Sequence, residues 1–240
     1  MKKPIKKRTR KHGQAFWESE YKDGGYLALS VNPSEDLEKF TRWLTREYGN
    51  SILNVTASVL DLGCGNGRNL VWLGENFNVR GVGFDISSEA IKQAERRTKE
   101  LELSFTYEAR SIAGILPVAN ESQAIVLDMM TSHFLKAAER AALIEEIHRV
   151  LKPGGFLFYK TFLLDEDRHA KRMLKENPAD EENSYVHPEI GVAEHVSTEA
   201  EIEELYGKYF TIHKVYKSHR HTGKFAKRRS VSIYLEKSTY

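Results

Sequence analysis

Apolar residues recur along this chain with two periods. After Pro33 and a Ser34 suited to cap a helix, Leu37, Phe40, Trp43, Leu44 and Tyr48 fall three and four apart. That spacing predicts an amphipathic first helix whose aromatics belong to the core. Short apolar or alternating runs predict strands at 58–62, 79–85, 104–109, 124–130, 156–162, 210–217 and 230–237. Helical spacing returns at 68–77, 88–101, 136–150 and 198–206. Strands and helices in alternation argue for a parallel sheet covered on both faces. No internal repeat or low-complexity tract is present, and no apolar run approaches the ~20 residues that span a bilayer.

Chemistry concentrates where the first strand stops. Residues 59–69 read Val-Leu-Asp-Leu-Gly-Cys-Gly-Asn-Gly-Arg-Asn. The run closes on glycines at 63, 65 and 67, and a helix-capable segment follows at once. Missing side chains there let backbone N–H groups approach a ligand at the mouth of a helix whose first donors have no intrahelical partner. Dinucleotide enzymes place G-x-G-x-x-G at the same point. Here the third glycine comes two residues after the second, Arg68 fills the next position, and the strand carries Asp61. A pyrophosphate would be repelled by that carboxylate, whereas a cationic ligand end would be held by it. The second strand ends in Asp85, where a carboxylate accepts both hydroxyls of a ribose. The implied ligand is a nucleoside with a positive, amine-bearing tail.

These residues resemble the class I S-adenosylmethionine-dependent methyltransferases. The matching pieces are Val59-Leu60-Asp61-Leu62-Gly63-Cys64-Gly65-Asn66-Gly67, Gly81-Val82-Gly83-Phe84-Asp85-Ile86-Ser87, and Val150-Leu151-Lys152-Pro153-Gly154-Gly155 ahead of a strand. Together they cover about residues 58–162. The resemblance implies a Rossmann-like α/β fold: a seven-stranded, mostly parallel sheet with an antiparallel last strand inserted near the edge and helices on both faces. Arg220 to Lys227 would be the turn into that strand. It also implies S-adenosylmethionine as cofactor, with Gly63 and Gly65 at its methionine part and Asp85 at its ribose. Asp61, Cys64, Asn69, Ile86 and Asp128 join them as candidate cofactor-binding residues. After the third strand such enzymes usually offer an acid to the adenine, but Ala109-Arg110-Ser111-Ile112 has none, so the work falls to Ser111 and the backbone of Ile112.

The acceptor is harder to read. The fourth strand runs into Asp128-Met129-Met130-Thr131-Ser132-His133-Phe134, without the Asn-Pro-Pro-Tyr or Asp-Pro-Pro-Tyr pattern of enzymes that methylate planar amides or exocyclic base nitrogens. Asp128 and His133 are the candidate catalytic residues, placed at or just after the carboxyl end of that strand, where one would act as base if the acceptor arrives protonated. Phe16, Trp17, Tyr21 and Tyr26 surround Gly24-Gly25 and read either as a lid or as packing under the sheet edge. Residues 163–197 form a long insertion, and loops of that length in a compact domain are usually functional. Trp17, Tyr21, Tyr26, Tyr185 and His187 are therefore the candidate substrate-binding residues. His219-x-His221 would share one strand face, but a metal site needs three or four converging ligands, and none is expected.

Composition changes the picture in two places. Cys64 is the only cysteine, which excludes an internal disulfide and fits a reducing compartment. The basic N-terminus lacks the apolar h-region of a secretory signal, so a cytoplasmic protein is expected. The formal net charge of +2 hides an asymmetry. Residues 1–12 are basic without an acid and read as a disordered tail, 165–204 are acid-rich, and the stretch between Tyr206 and Leu235 is basic. The division is a tail at 1–12 and one domain at 13–240: a lid segment at 13–57, a cofactor core at 58–162 and an acceptor-side insertion at 163–197. The basic ends fit an RNA partner or a merely solvated face. A methyltransferase with a small-molecule acceptor is favoured, RNA is the alternative, and a non-catalytic cofactor-binding protein is the remote third.

Overall fold

The computed structural model describes residues 13–24, 29–165, 167–218 and 228–238 of the 240. The expected basic tail at 1–12, Tyr26, His219, His221 and the turn Arg220–Lys227 lie outside the described residues. Two helices open the chain, α1 (Gln14–Asp23) and α2 (Glu35–Tyr48). There follow β1 (Ser58–Leu62), α3 (Arg68–Phe77), β2 (Arg80–Asp85), α4 (Ser88–Glu100), β3 (Phe105–Ala109) and β4 (Gln123–Met129). A 3₁₀ turn (Ser132–Phe134) leads to α5 (Ala137–Val150) and β5 (Leu151–Phe162). The chain closes with α6 (Arg168–Glu176), β6 (Ser184–Val186), β7 (Ala193–His195), α7 (Glu199–Tyr206), β8 (Phe210–Lys217) and β9 (Ser230–Lys237).

The main sheet has seven strands in the order β3-β2-β1-β4-β5-β9-β8. β9 runs antiparallel between β5 and β8, and the strands from β1 to β5 pair in parallel. Period-2 alternation sorts β1 between the two faces. Leu60 and Leu62 pack with Leu143, Ile147 and Ile202 of α5 and α7, and Val59 packs with Leu37, Phe40 and Leu73 of α2 and α3. Both faces are covered, so the central strands read as continuous apolar runs. The first helix forms with its aromatics in the core, as its spacing predicts. Ser34 sits at its N-cap position but makes no side-chain cap; its backbone N–H donates to Asn69 Oδ1 at 3.2 Å.

Three elements differ from the sequence expectation. β5 starts at Leu151 rather than 156, because Leu151 pairs with Gln123 and a register shift absorbs the Pro-Gly-Gly stretch, with Gly154 at φ 72°. The insertion is not a structureless loop. Asp167 Oδ1 accepts from Ala170 N at 3.0 Å and starts α6, and β6 and β7 form a small antiparallel hairpin. The segment around Trp17 is a helix, α1.

Candidate active site

Strand order reverses between β1 and β4, and ligands of open α/β sheets bind at the strands' carboxyl ends beside such a switch. There the glycine turn is drawn tight against β2. Gly63 N and Cys64 N both donate to Phe84 O, at 2.7 and 2.9 Å. Gly63 and Gly65 hold φ of 75° and 55°, in the left-handed region that disfavours side chains. A Cβ on Gly63 would collide with the Thr131 side chain, and one on Gly65 with the Tyr21 hydroxyl. Gly67 answers a packing need, since a Cβ there would lie 2.9 Å from Ala94 Cβ and from the Tyr107 hydroxyl.

Three carboxylates lie at or near this point. Asp85 Oδ2 accepts from Gly65 N and Oδ1 from Ser87 N, both at 2.9 Å. Burial nevertheless outweighs those bonds and raises its pKa. Asp61 is 1 % exposed and its Oδ2 has no hydrogen-bond partner among the described residues. Burial first, then the Asp85 charge, pushes its carboxyl up to about 7. Asp128, at 0 % exposure, accepts from Ser132 N at 3.1 Å through Oδ1 and leaves Oδ2 unpartnered. Burial pushes it up to about 6. An unsatisfied buried carboxylate is expensive, and strongly perturbed acids beside a cleft mark functional sites.

A cavity of about 470 Å³ opens over this turn. Gly63, Cys64, Gly65, Asn69, Asp85, Ile86, Ser111 and Ile112 line it, and so do Trp17 and Tyr21 from α1. Asn69 also ties the start of α2 to the end of β4, its Nδ2 donating to Met129 Sδ at 3.5 Å. Cys64 is packed against Gly83, and burial pushes its thiol well above the ordinary range. Next to Ser111, the Arg110 guanidinium lies 5.2 Å from the Phe84 ring centroid. α1 is docked rather than loose. Glu18 accepts from Ser87 Oγ at 2.8 Å and Ser88 Oγ at 2.7 Å at the start of α4, and Gln93 Nε2 donates to Tyr21 O at 2.7 Å.

Other candidates stand elsewhere. Asp61 and Asp128 are not among the residues lining the cavity; each stands one residue before the carboxyl end of its strand, β1 and β4. His133 is 2 % exposed, does not line the cavity, and neither ring nitrogen has a hydrogen-bond partner among the described residues. Its ring packs on Phe134 and Phe162, and burial pushes its pKa down to about 4. This corrects the expectation that His133 faces the acceptor: the turn carrying it is covered by the β6–β7 hairpin. Tyr185 is likewise buried in that hairpin, donating its hydroxyl to Glu194 Oε2 at 2.8 Å, while Arg228 pairs with the same oxygen at 2.6 Å and stacks over Phe162. Strand alternation turns Tyr185 inward, and His187 is half-buried beyond the cavity, so neither lines it. The insertion reaches the cavity through Val192 instead.

Sequence reasoning missed Met129, Met130, Thr131, Phe134, Leu135 and Lys160, which complete the wall from β4 and β5. For Met130, Thr131, Phe134 and Leu135 the position after the carboxyl end of β4 was the available signal. Met130 carries an additional mark, a φ of 64° that non-glycine residues seldom adopt and that clusters at functional sites.

A glycine turn after β1, an acid closing β2 and this strand order define a Rossmann-like protein built to hold a nucleoside cofactor. Residues 59–155 match the methyltransferase domain family. Over this region the chain is similar to the S-adenosylmethionine-dependent methyltransferases. A solved S-adenosylmethionine-dependent methyltransferase from Methanosarcina mazei is 25 % identical, superposes with a TM-score of 0.66, and covers 80 % of this chain and 97 % of its own. A fatty-acid O-methyltransferase of Mycolicibacterium smegmatis is 25 % identical over 58 % of this chain and 49 % of its own length. A tRNA (carboxymethyluridine(34)-5-O)-methyltransferase of Arabidopsis thaliana is 27 % identical over 58 % of this chain and 32 % of its own. The chain spans about half the length of the first curated relatives it matches.

Proposed function

We propose that this protein transfers a methyl group from S-adenosylmethionine to a small-molecule acceptor. The observation that carries the reading is the buried, unpartnered oxygen of Asp61 beneath the glycine turn. A cationic amine is the group that would relieve it, and the bound cofactor supplies that amine together with an already activated methyl sulfonium. In this reading the backbone around Gly63 and Gly65 holds the methionine part and Asp85 takes the ribose hydroxyls. Ile86, Ser111 and Ile112 enclose the base. Asp128 stiffens the floor through Ser132 N. The protein's own share of catalysis is alignment and exclusion of water, and orientation alone supplies roughly 7–11 kcal/mol in favourable systems. A cavity of about 470 Å³, with Trp17 and Tyr21 in its lining, supports a small acceptor. The single cysteine supports a cytoplasmic setting, and no helix among the described residues is long and apolar enough to cross a membrane.

RNA is the second reading, supported by the basic stretches of the sequence and by a relative that acts on tRNA. One experiment separates the two. The protein is incubated with methyl-labelled cofactor and fractionated extract, with and without ribonuclease. Label in a ribonuclease-resistant small-molecule fraction is expected, and label lost on ribonuclease treatment would overturn the small-molecule reading.

A further inference from the structure

We infer that the acceptor presents a carboxylate on an apolar body and that the enzyme esterifies it without a general base; this rests on the methyltransferase reading above. The cavity holds three cationic side chains, Arg68, Arg110 and Lys160, against one carboxylate, Asp85, and no histidine among its described lining residues. Asp85 is already committed to two backbone N–H groups. Among the described lining residues no carboxylate or imidazole on the acceptor side is therefore placed to take a proton from an alcohol or an ammonium.

The cations divide by position. Arg110 lies by Ser111 at the adenine end, donating to Ser111 O at 3.2 Å and Ile115 O at 3.0 Å. Arg68 opens α3 beside the glycine turn. Lys160, on β5, stands on the acceptor side next to the end of β4, its backbone oxygen accepting from Met130 N at 2.8 Å. Its ammonium pairs with Asp36 at 2.5 Å, but Asp36 is also held by Lys39 at 3.2 Å, so the cluster of two lysines and one aspartate keeps a net positive charge. An ammonium has three donors, and one bond to Asp36 leaves two. Around it the wall is apolar: Trp17 and Phe134 meet edge to face with centroids 5.4 Å apart, and Met130, Leu135 and Val192 continue the surface.

A carboxylate fits both halves of that description. It is ionised at neutral pH, so its nucleophilic lone pair needs no base. One lone pair of the acceptor oxygen forms the new C–O bond to the methyl carbon as the carbon–sulfur bond breaks and its electron pair passes to sulfur. An anion and a sulfonium become a neutral ester and a neutral thioether, and no proton moves. Low-dielectric walls favour a step in which two opposite charges cancel.

The test uses the full chain loaded with S-adenosylhomocysteine. Calorimetry measures decanoate and indole-3-acetate against their amides, and 5-carboxymethyluridine against uridine, with chain melting recorded for every variant. At least tenfold tighter binding of a carboxylate over its neutral counterpart is expected. A preference confined to the nucleoside pair would place the carboxylate on a nucleoside rather than a lipid-like body. Lys160→Gln should erase most of the preference while leaving S-adenosylhomocysteine affinity within a few-fold, and Lys160→Arg should keep it. With labelled cofactor held at saturating concentration at each pH, esterification should proceed at a rate flat between pH 6 and 9. Equal binding of acid and amide in all pairs, or a preference unmoved in a folded Lys160→Gln, would overturn the inference. Failure of S-adenosylhomocysteine itself to bind would instead refute the methyltransferase reading, and the inference with it.

Discussion

Asp61 offers the sharpest quantitative test, because the proposed function couples its charge to cofactor binding. In the free protein burial and the neighbouring Asp85 push its carboxyl from 3.8 up to about 7. Pairing with an ammonium would return it toward the ordinary carboxylate range, near 4. Linkage then fixes the pH dependence. Affinity for S-adenosylhomocysteine should be near its plateau at pH 7.5 and fall as pH drops through 7, losing on the order of 50- to 100-fold by pH 5. The window stops at 7.5 because the ligand's own amine begins to titrate above it. Asp61→Asn should bind more weakly at pH 7.5 by about 1.5–3 kcal/mol and lose most of the slope.

The same substitution has an opposite effect on the free protein. An acid whose folded pKa is raised leaves the folded state holding more protons than the unfolded one, so stability falls as pH rises from 3.8 to about 7 and is flat above. That movement corresponds to at most about 4 kcal/mol. Asp61→Asn should therefore melt higher than wild type at pH 8, with the gap closing near pH 4. Calorimetric titrations and thermal melts across pH 4–8 check both statements. A flat wild-type binding profile, or an Asn variant that keeps the slope, would refute the assignment.

Three further perturbations follow from the same geometry. Asp85→Ala should lower S-adenosylhomocysteine affinity by about 1.5–3 kcal/mol, the range for hydrogen bonds to a charged group, read by calorimetry. Glu18→Ala removes the acceptor that α1 offers to Ser87 and Ser88; limited proteolysis should then cut within α1 faster, with a loss of about 0.5–2 kcal/mol in stability as for other capping groups. His133→Ala should cost about 1–3 kcal/mol of stability and lower turnover by less than about tenfold, against the 10² to 10⁴ of a lost general base. Because burial lowers His133 from 6.5 to about 4, its part of wild-type stability is complete above 6.5 and fades as pH falls toward 4; melts of the variant should lack that part.

The cavity wall around the glycine turn was legible because it is local in sequence. Gly63, Gly65 and Asp85 lie within 23 residues of sequence, and the strand–turn–helix that positions them is written in the apolar run from Ser58 and the helix from Arg68. Seven sheet strands were legible too, with the largest error at the start of β5, where a Pro-Gly-Gly turn signal is absorbed inside a strand. The acceptor half was not. Lys160 and Val192 meet Trp17 only through tertiary packing, and nothing in their neighbours marks them. The insertion misled for a similar reason. Its tyrosine and histidines looked like exposed polar reach, yet Tyr185 and His195 are satisfied inside it, His195 bonding Ser184 at 3.1 Å and Glu201 at 2.7 Å. His133 follows β4 as expected but is turned away by a 3₁₀ turn that the sequence does not announce.

Three unfavourable features of this chain lie close together, and their clustering is itself an argument for function. Asp61 and Asp128 each leave a buried oxygen without a partner, and Met130 is held in a left-handed conformation. All three lie at or beside the carboxyl ends of β1 and β4, where the sheet order reverses. A protein selected for stability alone would place Asn or an apolar residue at these positions, since each substitution would relieve desolvation or strain. Beside them Leu60, Leu62, Val126 and Leu157 are fully buried and apolar. A ligand that brings a positive charge to this floor would repay the desolvation of Asp61, so cofactor binding and the free protein's instability there are two sides of one balance. The same reasoning gives Asp128 a different part. One of its oxygens is already held by Ser132 N, so in the proposed function it fixes the wall of Met130, Thr131 and Phe134 and leaves Asp61 as the acid whose charge the cofactor would answer.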